Sequence, residues 1–116
     1  MASIQEVAEQ LGVSTHALRY YEKEGLIAVP RDAHGNRVFD EESISSARFI
    51  ATCRQAGMRL ADIRTILSNP HDHALSIEVM ERARVKIENE ILGLQLNLEH
   101  LDRRIQEHRR QLGDAA

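Results

Sequence analysis

Residues 13–27, VSTHALRYYEKEGLI, decide the fold of this chain. Ser14 is of a residue type that caps helix N-termini, and Leu18 and Tyr21 follow it at the spacing of one helix face. Gly12, just before the stretch, can adopt the left-handed conformation that ends a preceding helix. The stretch therefore predicts a helix that begins immediately after a tight turn.

A first helix is predicted on the other side of that turn, over residues 4–11. Ser3 and Glu6 form a capping-box pattern, and apolar residues then recur at helical spacing. Ala8 is small enough to let two short helices cross closely. With the second helix over residues 14–24, the pattern predicts a helix-turn-helix. A structural helical hairpin that binds nothing is the alternative.

Residue types that contact DNA occur along the second helix: Thr15, His16, Arg19, Tyr20, Tyr21 and Lys23. The first three lie nearest the helix N-terminus, which is the end that enters a major groove, so we predict that they contact base edges. The last three suit DNA phosphates, although Tyr21 also belongs to the inward stripe. This helix therefore predicts a DNA-binding surface.

Residues 31–39, RDAHGNRVF, predict a small β-hairpin that would form the wing of a winged helix-turn-helix. The turn formers lie at residues 32–36. We predict that Arg37 reaches a flanking phosphate or the minor groove of DNA. A solvated arginine on the hairpin is the alternative.

Two further short helices complete the first part of the chain. Asp40 caps the first of them, which ends at Gly57. The second follows it and stops at the linker SNPHDH, which contains Pro70. We therefore expect a mainly α protein with two parts. Residues 1–70 form the winged helix-turn-helix domain, and residues 71–116 form a long C-terminal coiled-coil helix.

The long helix has an apolar seam whose members are spaced alternately by three and four residues, the pattern of a coiled coil. The seam consists of Ile77, Met80, Arg84, Ile87, Ile91, Leu94, Leu98, Leu101, Ile105, His108 and Leu112. We predict that its aliphatic members through residue 105 form a dimer interface, and that His108 is a packing or register residue. The alternative is a helix that folds back on its own domain.

Charge gives no general support for nucleic-acid binding. The net charge is -3, and residues 1–70 hold 8 Lys and Arg against 9 Asp and Glu. DNA binding would therefore depend on where the basic residues lie rather than on their number. Two other functions stay open on this ground: an architectural DNA-bending protein, and a coiled-coil interaction protein whose helix-turn-helix is only a scaffold.

Several classes of protein are not expected. The sequence contains no recognisable nucleophile and base, no phosphate loop and no metal-ligand spacing, so we expect neither an enzyme nor a cofactor or metal site. Cys53 is the single cysteine, and the first residues lack the pattern of a secretory signal. No stretch approaches the roughly 18 consecutive apolar residues of a membrane span. We therefore predict a cytoplasmic protein.

Three segments carry a resemblance to a known family. They are VSTHALRYYEKEGLI, the motif R-x-x-x-G-x-R-x-F at Arg31, Gly35, Arg37 and Phe39, and FIATCRQAGMRLADI at residues 49–63. In order, spacing and residue type they closely resemble the MerR family of transcription regulators over residues 3–67. The resemblance implies a homodimer joined by an antiparallel coiled coil. It also implies that the dimer binds a near-palindrome in double-stranded promoter DNA and alters its twist for RNA polymerase.

The effector of such a regulator is less defined by the sequence. Metal-sensing members of the family carry cysteines around the long helix, and this region has none. A branch that responds to electrophiles carries a cysteine which aligns with Thr52, so the neighbouring Cys53 is a candidate thiol sensor. A buried structural cysteine is the alternative. His71, His73, His100 and His108 are the remaining metal-ligand types.

Overall fold

The computed structural model describes residues 1–114, and within them the chain forms five helices. These are α1 (Ile4–Leu11), α2 (Thr15–Lys23), α3 (Glu41–Gln55), α4 (Leu60–Ser68) and α5 (His73–Asp114). The mainly α class and the long C-terminal helix are confirmed. None of these helices combines the length and the apolar character that a membrane span requires.

Local side-chain hydrogen bonds explain where the first two helices begin. The Oγ atom of Ser3 accepts a 3.2 Å hydrogen bond from the backbone N–H of Glu6, whose carboxylate accepts one from Ser3 in return. Ser14 caps α2 in the same way, accepting from the N–H of Ala17 at 3.0 Å. Gly12 ends α1 at φ 67°, where a residue with a Cβ atom is strained. The predicted turn between α1 and α2 is thus present.

The core lies among α1, α2, α3 and α4. Helix α1 packs against α2 and α3, and α3 packs against α4. The largest fully buried side chains are Phe39, Leu18, Ile50, Ile63 and Val7. Each contributes about 1.5–3 kcal/mol by leaving water. Because Leu18 is one of them, burial fixes the rotation of α2 and decides which of its residues face solvent.

The segment at residues 31–39, called the wing loop below, has little β-structure. Residues 1–114 contain no β-strand, so the predicted hairpin is not confirmed as a pair of strands. A single antiparallel bridge joins Arg31 to Arg37, and a second joins Ala2 to Phe39. The N–H of Val38 also donates to the carbonyl of Pro30 at 2.9 Å. The chain reverses as predicted, but it pairs over too short a distance to form strands.

Helix α5 extends over 42 residues and belongs to two compact units. The first unit, Met1–Val79, includes its start, where Val79 is buried. In the second unit, which begins at Met80, the described residues are helical throughout. Apart from the half-buried Ile87, the aliphatic side chains of the seam in this unit are exposed, and Leu94 is 68% accessible. This part of the chain has not buried its own apolar stripe.

Candidate DNA interface

The outward face of α2 presents a row of polar side chains. His16, Arg19, Tyr20 and Lys23 are exposed, and Thr15 is half-buried. They lie outside the buried stripe that Leu18 and Tyr21 form on the same helix, as the helical spacing predicts. Arg19 lies one turn after Thr15 and donates to its Oγ1 atom at 3.4 Å. The side chains predicted to reach base edges are therefore neighbours on one face.

Tyr21 lies on the other side of α2 and is buried, with 7% of its surface accessible. Its ring meets that of Tyr20 edge to face, with 6.3 Å between the centroids. Burial makes Tyr21 a core residue, so a contact with DNA would have to use its hydroxyl group alone. Tyr20, with 41% of its surface accessible, is better placed to contact a phosphate.

A carboxylate of α2 holds the wing loop. The Oε1 atom of Glu22 accepts a 2.7 Å hydrogen bond from Nε of Arg37 and a 3.1 Å bond from Nη2 of Arg31. Both are charge-assisted bonds, and the Glu22 and Arg37 side chains are largely shielded from water. Arg37, predicted as a DNA contact, is thus positioned by α2. The role of Glu22 was not predicted.

The wing loop also has internal hydrogen bonds that fix its shape. The Oδ1 atom of Asp32 accepts from the backbone N–H groups of His34 and Asn36, both at 2.9 Å. Gly35 takes the left-handed conformation at φ 81°, and its carbonyl accepts from Arg31. A short loop with these bonds keeps the guanidinium groups on one side of α2.

An open cleft lies between the first residues of the chain, α2 and the wing loop. Arg19, Arg31 and Arg37 are among the residues that line it. Three arginines around one cleft form a surface that suits a phosphate group of a nucleic-acid backbone, and Arg31 and Arg37 are also paired with Glu22. Arg31 was not among the predicted contacts. Its signal was the motif that places it six residues before Arg37.

Helix α4 supports the other end of α2. Arg64 donates to the carbonyl oxygen of Glu24 at 2.8 Å and forms an ion pair with its carboxylate at 3.3 Å. The carbonyl belongs to the residue that caps α2, where unpaired carbonyls concentrate partial negative charge. Arg64 therefore fixes the helix end without belonging to the DNA-facing surface.

Cys53 lies on the inner face of α3. Its side chain is buried, and this burial raises the pKa of the thiol above its ordinary value. A protonated thiol is a weak nucleophile. Thr52, the position that the family resemblance assigns to a reactive cysteine, is exposed on the neighbouring side of the helix. These facts favour the structural alternative for Cys53, and the thiol-sensor prediction has only its sequence position in support.

A metal site has no structural support in the described part of the chain. Residues 1–114 contain no group of three or more His, Cys, Asp or Glu side chains close enough to hold an ion. His71, His73, His100 and His108 are all exposed.

The geometry is that of a helix-turn-helix DNA-binding domain followed by a long helix. The family model described as MerR HTH family regulatory protein matches residues 2–70. The chain therefore belongs to the MerR family of helix-turn-helix transcription regulators.

Individual relatives agree with this assignment. Over 99 residues the chain is 31% identical to the HTH-type transcriptional regulator ZntR homolog of Haemophilus influenzae, a match that covers 84% of this chain and 73% of the relative. This chain also matches two other curated regulators, one from Haemophilus influenzae and one from Bacillus subtilis. It spans 44% of the length of the first and 49% of the length of the second.

Solved structures give the same result. A MerR family transcriptional regulator from Listeria monocytogenes matches with a TM-score of 0.75 at 31% identity, over 90% of this chain and 83% of that chain. HiNmlR, a MerR family regulator lacking the sensor domain and bound to promoter DNA, matches with a TM-score of 0.74 at 27% identity. That match covers 84% of this chain and 78% of HiNmlR.

Proposed function

We propose that the protein is a homodimeric transcription regulator that binds a near-palindromic promoter site and alters the conformation of the DNA. The observation that carries the proposal is the placement of Arg19, Arg31 and Arg37 around one cleft beside the exposed face of α2. This placement answers the objection raised by the net charge of -3, because a local cluster of arginines can bind phosphates in a chain that is acidic overall.

The roles of individual residues follow from their positions. Thr15, His16 and Arg19 read base edges from the start of α2, whereas Tyr20, Lys23 and the wing-loop arginines hold phosphates. Tyr21 takes part through its hydroxyl group alone. The match to HiNmlR, a MerR family regulator solved bound to promoter DNA, supports DNA binding by this domain.

The homodimer is proposed from the exposed seam of α5. An isolated helix with a continuous apolar stripe is unstable in water, and a second copy offers a matching stripe. The predicted interface comprises Ile77, Met80, Ile87, Ile91, Leu94, Leu98, Leu101 and Ile105. A twofold-symmetric dimer places two α2 helices on the two halves of a near-palindrome.

Control of transcription is the remaining part of the proposal. By family resemblance, the regulated quantity is the twist of the promoter, which presents its elements to RNA polymerase. We place this activity in the cytoplasm and assign the protein no catalytic role.

A salt-titrated binding assay on the DNA upstream of the protein's own coding sequence tests the proposal. We expect sequence-selective binding by a dimer at nanomolar concentrations, with an affinity that falls steeply as salt rises. Weak binding that ignores sequence would contradict it and would favour the DNA-bending protein. The matched variant is Arg19→Ala, Tyr20→Ala. If it keeps the dimer but also keeps full DNA affinity, α2 is only a scaffold.

A further inference from the structure

The seam of α5 has two polar members, Arg84 and His108, and both side chains are exposed in the single chain. Every other seam position from Met80 to Leu112 is apolar. In a coiled coil, a polar seam residue opposite an apolar one is costly because its polar atoms are buried without a partner. The positions of these two residues therefore restrict how a second copy can dock.

Taking the antiparallel pairing that the family resemblance implies, we infer its register: the twofold axis crosses the helix pair at the level of residue 96, so that Arg84 of each subunit faces His108 of the partner subunit. The inference rests on the homodimer of the proposed function and adds the register of its two helices. The axis lies midway between Leu94 and Leu98, and each of these faces the other across the dimer.

This register matches every remaining seam residue with an apolar one. Moving outward from the axis, the facing pairs are Ile91 with the partner's Leu101, Ile87 with the partner's Ile105, and Met80 with the partner's Leu112. The polar pair Arg84 and His108 forms one layer on each side of the axis, between the Ile87 layer and the Met80 layer. The neutral imidazole offers a nitrogen that can accept from the guanidinium group, so the layer has a hydrogen-bonding partner on each side.

Charges that flank the seam agree with this register. Glu90 directly precedes Ile91, and it comes opposite the partner's Arg104, which directly precedes Ile105. On the other flank, Glu81 comes opposite the partner's Arg109. Each attractive pair occurs twice because of the twofold symmetry, and flanking charges of this kind set orientation and partner choice in coiled coils.

One flanking contact is unfavourable. Glu88 approaches the partner's Asp102 in this register, and both are carboxylates. Arg84 lies one turn before Glu88 in the same chain and pairs with it at 3.6 Å. This guanidinium group therefore stands beside the two carboxylates and reduces their repulsion.

Other arrangements are less favourable. In a parallel dimer Arg84 faces the partner's Arg84, and Arg104 approaches the partner's Arg109, so like charges meet at both places. Sliding the antiparallel pair by one heptad in one direction places Arg84 against the partner's Leu101. Sliding it the other way places His108 against the partner's Ile91. Each slide buries a polar group against an apolar one.

A charge swap on the full-length chain tests the register, with the dimer dissociation constant measured by sedimentation equilibrium. Glu90→Arg and Arg104→Glu each turn two attractive contacts into repulsive ones, so each is expected to weaken the dimer about tenfold. The double variant restores attraction with the signs exchanged and should return to within about threefold of the unaltered protein. Arg103→Glu is the matched control, because it makes the same change on the outer face of α5 and should leave the dimer unchanged.

The charge swap is a double-mutant cycle, and a second double-mutant cycle tests the polar layer formed by Arg84 and His108. Arg84→Leu and His108→Leu each leave one polar group against a leucine, whereas the double variant forms an apolar layer. In the inferred register, the dimer dissociation constant of the double variant is at least about tenfold lower than the sum of the two single-variant effects predicts. Helix content from circular dichroism verifies that each variant retains α5.

The possible failures are distinct. A dimer in which both cycles are additive overturns the register but leaves the proposed function standing. A dimer that Arg104→Glu tightens overturns the antiparallel orientation. An unaltered protein that stays monomeric at all concentrations overturns this inference together with the proposed homodimer.

Discussion

The Nε atom of Arg37 donates a 2.7 Å hydrogen bond to Oε1 of Glu22, and this bond joins the wing loop to the helix whose exposed side chains are proposed to contact DNA. The loop has only one backbone bridge of its own, between Arg31 and Arg37. The direct link between the loop and α2 is therefore a side-chain carboxylate, whereas backbone pairing joins the end of the loop to Ala2.

Glu22→Gln should reduce sequence-specific DNA binding while sparing non-specific binding. The amide keeps the size of the side chain but loses the charge that holds both arginines, so we expect about a tenfold loss of specific affinity. Non-specific affinity should not fall, because the variant has one negative charge fewer. Competition between promoter DNA and random DNA measures both. Asp62→Asn, which removes the exposed ion pair with Arg59, is the control and should change neither.

Arg19→Ala and Lys23→Ala should weaken DNA binding in different ways. Arg19, assigned to base edges, should cost about 1–3 kcal/mol on the promoter site and relax the preference at one base position. Lys23, assigned to a phosphate, should weaken binding equally on all sequences and lower the salt slope by about one. Salt titrations on a set of single-base operator variants separate the two patterns. Identical behaviour of the two variants would contradict the assignment.

Leu18→Ala and Tyr20→Ala should separate stability from binding on the same helix. Leu18 is 1% accessible, so its truncation leaves a cavity that costs about 2–5 kcal/mol of the free energy of unfolding. Tyr20 is exposed, and its truncation should cost little stability while weakening DNA binding. Urea unfolding and a binding assay on both variants measure the two quantities. A large loss of stability in the Tyr20 variant would place its ring in the core instead.

Cys53 should react slowly with thiol reagents in the folded protein. Burial raises the pKa of this thiol and restricts access to it, so alkylation should be at least about tenfold slower than in urea. The control is a Thr52→Cys, Cys53→Ser variant, whose exposed cysteine should react quickly. Rapid labelling of Cys53 in the folded protein would instead support a role as a thiol sensor.

Asp40 should make folding stability depend on pH in the acid range. The backbone N–H of Ser43 donates to its carboxylate at 2.8 Å and holds the pKa of Asp40 below its usual value of 3.8. A lowered pKa means that the cap is fully effective above the usual value and is lost as pH falls through the folded one. Asp40→Asn removes this titration. Urea unfolding should show a constant difference between the two proteins well above the usual pKa, and a difference that shrinks as the pH falls below about 4.

Helix positions in this chain could be predicted from the sequence because their signals are local. Ser3, Gly12 and Ser14 determine where α1 begins, where α1 ends and where α2 begins, through contacts with residues at most four positions away. The inward position of Leu18 followed from helical spacing alone. Capping groups and periodic apolar residues act within one or two turns, so no knowledge of the tertiary fold was required.

The support of the DNA-facing surface could not be predicted in the same way. Glu22 holds side chains that lie 9 and 15 residues further along the chain, and Arg64 reaches back 40 residues to Glu24. Such pairs depend on how the helices cross. The net charge of the chain also carried no information about this arrangement, because a count does not show that Glu22 pairs with Arg31 and Arg37.

The bridge between Ala2 and Phe39 has a practical consequence for anyone who makes this protein. The N–H of Phe39 donates to the carbonyl of Ala2 at 2.7 Å, and the N–H of Ala2 donates back to Phe39 at 3.0 Å. Phe39 ends the wing loop, and Ser3 caps α1 directly beside the bridge. Trimming the first three residues would thus remove both the bridge that holds the end of the loop and the cap of α1.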